Sequence, residues 1–455
     1  MTAIADAAYL VLSSRLVPGL DGGYTVATLA RARSIQDAGA TAPLLLTLDP
    51  ATPSAHAEHR RVFADRGEIA SVDRMRNLFD EALADPSWVR AAAVPGEPSD
   101  GVEYREIASE EAGPVLSIPV IAANPDWHLT DAAVVVHGYG VIPGGFGALY
   151  LTWLQHVAAE LRADDPERVV VVICESRQLG ELIAGWSDPH VRIIHTVHNS
   201  HLEPPYEDPN GPINGLWTRW FDVVDRFDAV LWPTAAQRAD VEARFGARDT
   251  FAVVPNPVEQ VHSHGTRTDA TDPHRVVMLG RIAAQKRVDL AVRAWARIID
   301  AVPDAHLDIY GDGPLKEQIA ELIDELALAA SITLHGHIDD RDAALAGAAL
   351  MLVSTAYEGQ GLSIAEALVR GLPVVSFDVR YGPRETIGDA GVLVPPGDVE
   401  ALADVVIALL SNDERRAALA DRAVEQGRLL APEAVTCALV PVLKRVLATP
   451  SRRAH

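Results

Sequence analysis

Short aliphatic runs alternate with longer amphipathic stretches along most of the chain, the pattern of parallel strands joined by helices. "AYLVLSS" (8–14) reads as a strand, "GLDGGYT" (19–25) as a glycine-rich turn, "VATLARARSIQDAG" (26–39) as a helix and "APLLLTL" (42–48) as the next strand. The rhythm breaks over residues 50–130, where a helical piece near 72–85 and a Pro/Gly-rich stretch precede short antiparallel strands within 102–121. That segment reads as a small β-rich insertion. The α/β rhythm returns with "AAVVVHG" (132–138), a helix over 149–163, strands within 168–176, 191–201 and 228–234, and a last strand "FAVVPNPV" (251–258). Thr234 and Gln237 form a T-x-x-Q capping box opening a helix to about Arg244.

The polar run over 259–274 has no hydrophobic period and marks a domain boundary. Beyond it come "RVVMLGR", "AHLDIYGDG", "SITLHGH", "AALMLVST", "GLPVVSFD" and "AGVLVPP", each but the last two followed by a helical pattern of ten or more residues. The expected fold class is α/β, with two Rossmann-like doubly wound domains facing across a cleft and a small β-rich insertion in the first. The domains fall at 1–260 and 270–430, with a C-terminal helix and tail over 431–455. A length of 455 residues agrees, being too long for one ordinary core.

Charge narrows the partners. A formal net charge of −24 opposes binding to nucleic acid or to an anionic membrane surface. Cys174 and Cys437 are the only cysteines, which excludes a disulfide framework. Asp6 stands where a signal peptide carries a base, and no apolar run approaches the ~18 residues of a membrane span. A cytoplasmic protein without a transmembrane segment is expected.

Open parallel sheets bind ligands beyond the carboxyl ends of their strands. There, "LGRIAAQK" places Arg281 and Lys286 five residues apart, two cations suited to a diphosphate or equally to a solvated basic loop. "YEGQGLSIAEAL" puts Glu358 before a Gly-Gln-Gly turn and Glu366 after it. Free N–H groups of "GQGLS" (359–363) at the helix start suit phosphate oxygens, and the two acids suit hydroxyls. Glu366 has a structural reading too, as the far end of an S-x-x-E capping box begun by Ser363.

Arg281-x4-Lys286 followed by Glu358-x7-Glu366 resembles the donor-site signature of retaining GT-B glycosyltransferases over roughly 270–430. "FDVRYGPRETI" (377–387), "DGGYTVATLARARSIQDAGATAPLLLTLD" (21–49) and the order of "WLQHVAAEL", "VICESR" and "IIHTVHNSH" resemble the branch acting on poly(glycerol phosphate) or poly(ribitol phosphate) of wall teichoic acid, with relatives that add GlcNAc to Ser-rich proteins. The β-rich insertion departs from that branch in being short and Pro-rich. The resemblance implies a hexosyltransferase that needs no metal or other cofactor, using a nucleotide-diphosphate sugar, usually UDP-linked, and a glycan or polyol-phosphate acceptor. It assigns Arg281 and Lys286 to the diphosphate, Gly361, Leu362 and Ser363 to backbone contacts, Glu366 to ribose and Glu358 to the transferred sugar. Gly22 and Gly23 would face the diphosphate from the first domain, lacking a Cβ so that the backbone comes close.

In "HTVHNSH", His195, His198 and His201 share one strand end, and the family's pattern points to His198 as the group over the reacting sugar. A zinc site of the three lacks a cysteine or a nearby acid to complete it. Glu175 and Arg177 of "CESR" read as an internal ion pair or as acceptor contacts. A nucleotide-sugar epimerase and a non-catalytic sugar-nucleotide-binding protein share this fold, and donor turnover separates them. The sequence assigns no oligomeric state.

Overall fold

The computed structural model describes residues 4–20, 22–109, 113–121, 124, 127–259, 272–338 and 340–453. The chain opens with β1 (Ala8–Leu12), β2 (Leu44–Thr47) and β3 (Met75–Asn77), followed by β4 (Glu103–Ser109), β5 (Gly113–Val120), β6 (Val134–Val136) and β7 (Gly140–Ile142). Next come β8 (Val170–Cys174), β9 (Val191–Thr196), β10 (Ala229–Trp232) and β11 (Phe251–Val253). The remaining strands are β12 (Arg275–Leu279), β13 (His306–Tyr310), β14 (Ile332–Gly336), β15 (Leu350–Val353), β16 (Val374–Phe377) and β17 (Gly391–Val394).

They form two parallel sheets and one antiparallel sheet. The first parallel sheet has the order β11-β10-β9-β8-β1-β2-β3 and the second β14-β13-β12-β15-β16-β17, while β4-β5-β6-β7 is antiparallel. The parallel strands are covered on both faces, as their uninterrupted apolar runs require. In β1, Leu10 and Leu12 enter one core while Tyr9 and Val11 enter the other. The architecture is therefore two Rossmann-like domains with a β-rich insertion in the first, as the sequence pattern predicts. The C-terminal helix Pro432–Ala448 returns to the first domain, where Val435, Leu439 and Leu443 join the core of Val11 and Ile35.

Strand order reverses beside the first strand of each domain, between β1 and β8 and between β12 and β15. Crevices at such points take the ligand in doubly wound sheets. The loops leaving β1, β8, β12 and β15 are thus the ones to read for chemistry.

Several expectations fail locally. Residues 134–136, read as a return of the parallel rhythm, pair antiparallel with β5 and β7. Gly138 and Gly140, both at positive φ, turn the chain straight back into β7, and a two-ended hairpin cannot feed a parallel crossover. The helix expected near 72–85 gives up Met75–Asn77 to an edge strand. The helices after β14 and β15 span five and seven residues, Arg341–Leu345 and Leu362–Leu368, rather than ten or more. Residues 260–271 of the polar boundary lie outside the described residues.

One buried cluster carries a pH prediction. His56 donates from Nδ1 to Asp80 at 2.7 Å and from Nε2 to Asp49 at 3.0 Å. Burial alone would lower its pKa, but the two carboxylates outweigh burial and raise it to about 9. A histidine with a raised folded pKa stabilises fully below its unfolded value of about 6.5 and loses that contribution as pH climbs through the folded one. Chemical unfolding is expected to show stability declining between about pH 6.5 and 9 by on the order of 3 kcal/mol, with the decline absent in His56→Ala.

Candidate active site

At the second domain's reversal, the loops leaving β12 and β15 are knitted together. Ala356 N–H donates to the Gln285 carbonyl at 2.8 Å, Ser354 Oγ to the Lys286 carbonyl at 2.9 Å, and Gln285 Nε2 to the Tyr357 carbonyl at 2.9 Å. The consequence is that Lys286 Nζ lies 2.5 Å from Glu358 Oε1. Glu358 is 8% exposed, so its charge is met by the ammonium rather than by water. The Lys286 stem runs past Gly280, where an added Cβ would lie 3.4 Å from Lys286 Cε. Arg281 is exposed and its side chain has no partner among the described residues. A cation-rich rim beside a held lysine can receive an anion.

The turn after Glu358 opens the helix Leu362–Leu368, with Gly361 as its N-cap at φ 85 and no side-chain cap. The helix thus begins before Ser363, and the S-x-x-E capping box does not form. The Glu366 carboxylate pairs instead with Arg341. Burial pushes the Glu366 carboxyl upward, against the pull of Arg341 and Arg370. Leu362 and Ser363 present first-turn N–H groups. A helix of seven residues offers those groups rather than a long dipole.

The first domain reaches the same turn. A Cβ on Gly359 would lie 2.2 Å from the His198 carbonyl oxygen, so the two backbones touch across the cleft. A Cβ on Gly23 would lie 3.0 Å from Leu362 Cδ1. A Cβ on Gly22 would meet no protein atom within 4 Å, and its φ of 46 as N-cap of the helix Gly23–Asp37 itself favours glycine.

The three histidines go to three places. His195 is fully buried against Trp220 and Phe227, with neither ring nitrogen in a well-formed hydrogen bond, and burial lowers its pKa to about 3. His201 is buried and stacks on Tyr381 of the second domain at 5.7 Å, and burial lowers its pKa to about 4. His198 alone keeps some exposure, and its Nε2 lies 2.6 Å from Glu175 Oε2. An acid does stand beside His198, but the three histidines part and no group of three metal-ligating side chains forms among the described residues. Glu175 pairs with Arg31 and His198, while Arg177 lies over the Trp217 ring at 4.9 Å. Thr234 Oγ accepts from Gln237 N–H as the capping box predicts, but the Gln237 amide donates to the Asn199 carbonyl at 2.9 Å.

Further contacts join the domains. Glu385 accepts from Ala235 N–H at 2.8 Å and Ala236 N–H at 3.1 Å, capping a first-domain helix from the second domain. Arg380 pairs with Asp240, and Asn256 is bound twice by the Gln360 side chain.

Residues 117–260 match the model of Glycosyltransferase Family 4, and residues 273–412 that of Glycosyl transferases group 1, together more than half of the chain. The poly(glycerol-phosphate) alpha-glucosyltransferase of Bacillus subtilis is 28% identical over 233 residues, 51% of this chain and 34% of that protein. An exopolysaccharide phosphotransferase of Streptomyces coelicolor is 32% identical over 345 residues, 75% of this chain and 33% of that protein. The chain spans about a third of the length of these curated relatives. A solved TarM variant of Staphylococcus aureus, in complex with Fondaparinux, alpha-GlcNAc-glycerol and UDP, superposes with a TM-score of 0.79 at 18% identity, over 96% of this chain and 99% of that one. No helix among the described residues is long and apolar enough to cross a membrane. With a glycosyltransferase model matched in each domain and the whole two-domain fold shared, this chain belongs to the group 1 glycosyltransferases of GT-B fold.

Proposed function

We propose that the protein moves a hexose or N-acetylhexosamine from a UDP-sugar to a hydroxyl of a polyol phosphate or other glycan, with retention and without a metal. The observation that carries this reading is the Lys286–Glu358 pair at a strand-order reversal, with His198 of the other domain in backbone contact with the adjoining turn. In the reaction the C1–O bond to the diphosphate breaks and the C1–O bond to the acceptor forms on the same face. The acceptor proton leaves with the phosphate oxygen, and UDP is released. Negative charge grows on the diphosphate as the bond breaks. Lys286 and Arg281 stabilise that charge more in the transition state than in the ground state, which is where rate comes from. Leu362 and Ser363 contribute N–H groups, Glu366 meets ribose and Glu358 the sugar hydroxyls. Gly22 and Gly23 bring the first domain against the diphosphate. The cytoplasm supplies the UDP-sugar. The name of the Bacillus relative supports a glycerol-phosphate acceptor, and the alpha-GlcNAc-glycerol held by the Staphylococcus complex agrees with it.

The Streptomyces relative favours a second reading, transfer of a sugar phosphate, in which the P–O–P bond breaks and UMP is released instead. Incubation with UDP-glucose or UDP-GlcNAc and poly(glycerol phosphate), with EDTA present, separates the two. The expected products are UDP and an α-linked sugar. UMP would overturn glycosyl transfer, an epimerised UDP-sugar would indicate the epimerase, and tight UDP binding without turnover a binding protein.

A further inference from the structure

Behind His198 runs a line of polar groups that crosses the first domain's interior and ends at the Gly-Gln-Gly turn. The Glu175 side chain leaves the end of β8 and is fully buried, with Oε2 2.6 Å from His198 Nε2 and Oε1 3.0 Å from Arg31 Nε. Arg31, on the helix Gly23–Asp37, is itself 1% exposed and donates from Nη2 to Asn256 Oδ1 at 2.6 Å. The Asn256 backbone is gripped by Gln360, whose Oε1 accepts from Asn256 N–H at 2.6 Å and whose Nε2 donates to the Asn256 carbonyl at 3.1 Å. Gln360 stands between Gly359, which touches the His198 carbonyl, and Gly361, which opens the following helix.

Stability does not explain this arrangement. A buried ion pair is replaced by apolar groups of similar volume at little loss or even a gain, because desolvation offsets the attraction. The Arg31–Glu175 contact is moreover held by charge alone, since the Arg31 Nε–H is not aimed at Oε1. The directed hydrogen bonds run outward from the pair, to His198 and to Asn256. What the pair does fix is a ring. A carboxylate only accepts hydrogen bonds, so the His198 nitrogen facing Glu175 must carry the proton. In the neutral ring the remaining nitrogen, Nδ1, is an acceptor, and it has no partner among the described residues. Tyr24, whose hydroxyl is anchored 3.0 Å from Ser13 Oγ, sets its ring edgewise to the imidazole at 5.0 Å.

We infer that Glu175 and Arg31 are positioning residues: they hold His198 as the Nε2–H tautomer with Nδ1 free to accept from a sugar hydroxyl, and through Asn256 and Gln360 they tie that orientation to the turn carrying Glu358. This rests on the reading of the cleft as a UDP-sugar site.

Nitrogen NMR of the full chain labelled in histidine, with His198 assigned by comparison with His198→Gln, reads the tautomer in the unaltered protein. A protonated Nε2 and bare Nδ1 are expected; the reverse tautomer overturns the inference. In Glu175→Gln the amide oxygen turns to Arg31 and the NH2 to His198, which moves the ring proton to Nδ1. Turnover number for UDP release from UDP-glucose or UDP-GlcNAc is expected to fall by about 10²-fold or more, as a wrong-tautomer imidazole does elsewhere, with UDP affinity changed by less than about threefold. Should that variant not fold, the pair Arg31→Met with Glu175→Leu removes both charges together and is expected to show the same split. A folded variant of either kind with unaltered turnover number overturns the inference. Failure of the unaltered protein to bind UDP would instead overturn the reading of the cleft, while the tautomer would still decide whether Glu175 sets the ring.

Discussion

Lys286→Ala is expected to lower UDP-sugar turnover by about 10²–10³-fold, the cost of removing one preorganised group from a site of developing charge. Two effects add. The diphosphate loses a cation, and Glu358, 8% exposed and bound to Lys286 at 2.5 Å, loses the charge that balances it. Lys286→Arg should recover little of the loss. The lysine stem passes Gly280 closely enough that a Cβ added there would lie 3.4 Å from Cε, and a longer, planar guanidinium does not place one compact charge at the same oxygen. Rates of UDP release under saturating UDP-glucose or UDP-GlcNAc check this. A loss smaller than about fivefold would show that Lys286 serves only to neutralise Glu358.

Gly359→Ala should have the next largest effect, through a single methyl. Its Cβ would lie 2.2 Å from the His198 carbonyl oxygen, 2.8 Å from the His198 carbonyl carbon and 3.1 Å from Asn199 Cα. All three are backbone atoms, so no side chain can swing away, and the domains must part by roughly 1 Å at this point. A shift of that size at a reacting centre costs on the order of 10²-fold in rate, while overpacking costs about 1–3 kcal/mol of stability. Turnover is therefore expected to fall about a hundredfold in a protein that still unfolds cooperatively. Gly185→Ala, where the nearest atom to an added Cβ is Arg226 Nη1 at 4.0 Å, is the matched control and should be close to neutral.

How much of the fold is legible depends on how each signal is written in sequence. Uninterrupted apolar runs mark strands buried on both faces, so the two parallel sheets were legible. Met75–Asn77 was not, because an arginine within a three-residue edge strand carries no hydrophobic signal. Short runs do not say which way they pair, and so Val134–Val136 reads as parallel although it pairs antiparallel. Ser363 and Glu366 match a capping box by spacing, yet Gly361 in a left-handed conformation starts the helix earlier and turns Glu366 towards Arg341. Spacing shows the residue types of a cap but not which residue first leaves helical geometry.

Side-chain partners were the least legible. Sequence gives Lys286 and Glu358 separate duties, but two loops 72 residues apart close on each other and make them a pair. Arg31 and Arg33 look alike on one helix; Arg31 is buried beside Glu175, whereas Arg33 reaches Glu259 near the surface. Nothing local distinguishes them, because the difference comes from the strand β8 that packs beside the helix. The three histidines likewise share one motif, and only the packing of Trp220 and Tyr381 separates His195 and His201 from His198.

The central claim is that a nucleotide diphosphate is received beside the Arg281–Lys286 loop, within reach of the glycine turn. Calorimetric titration of UDP into the unaltered protein and into Arg281→Ala with Lys286→Ala tests it most directly. Two charge-assisted contacts of about 1.5–3 kcal/mol each predict that the double variant binds UDP at least ~100-fold more weakly. Equal affinity in the two proteins would contradict the account.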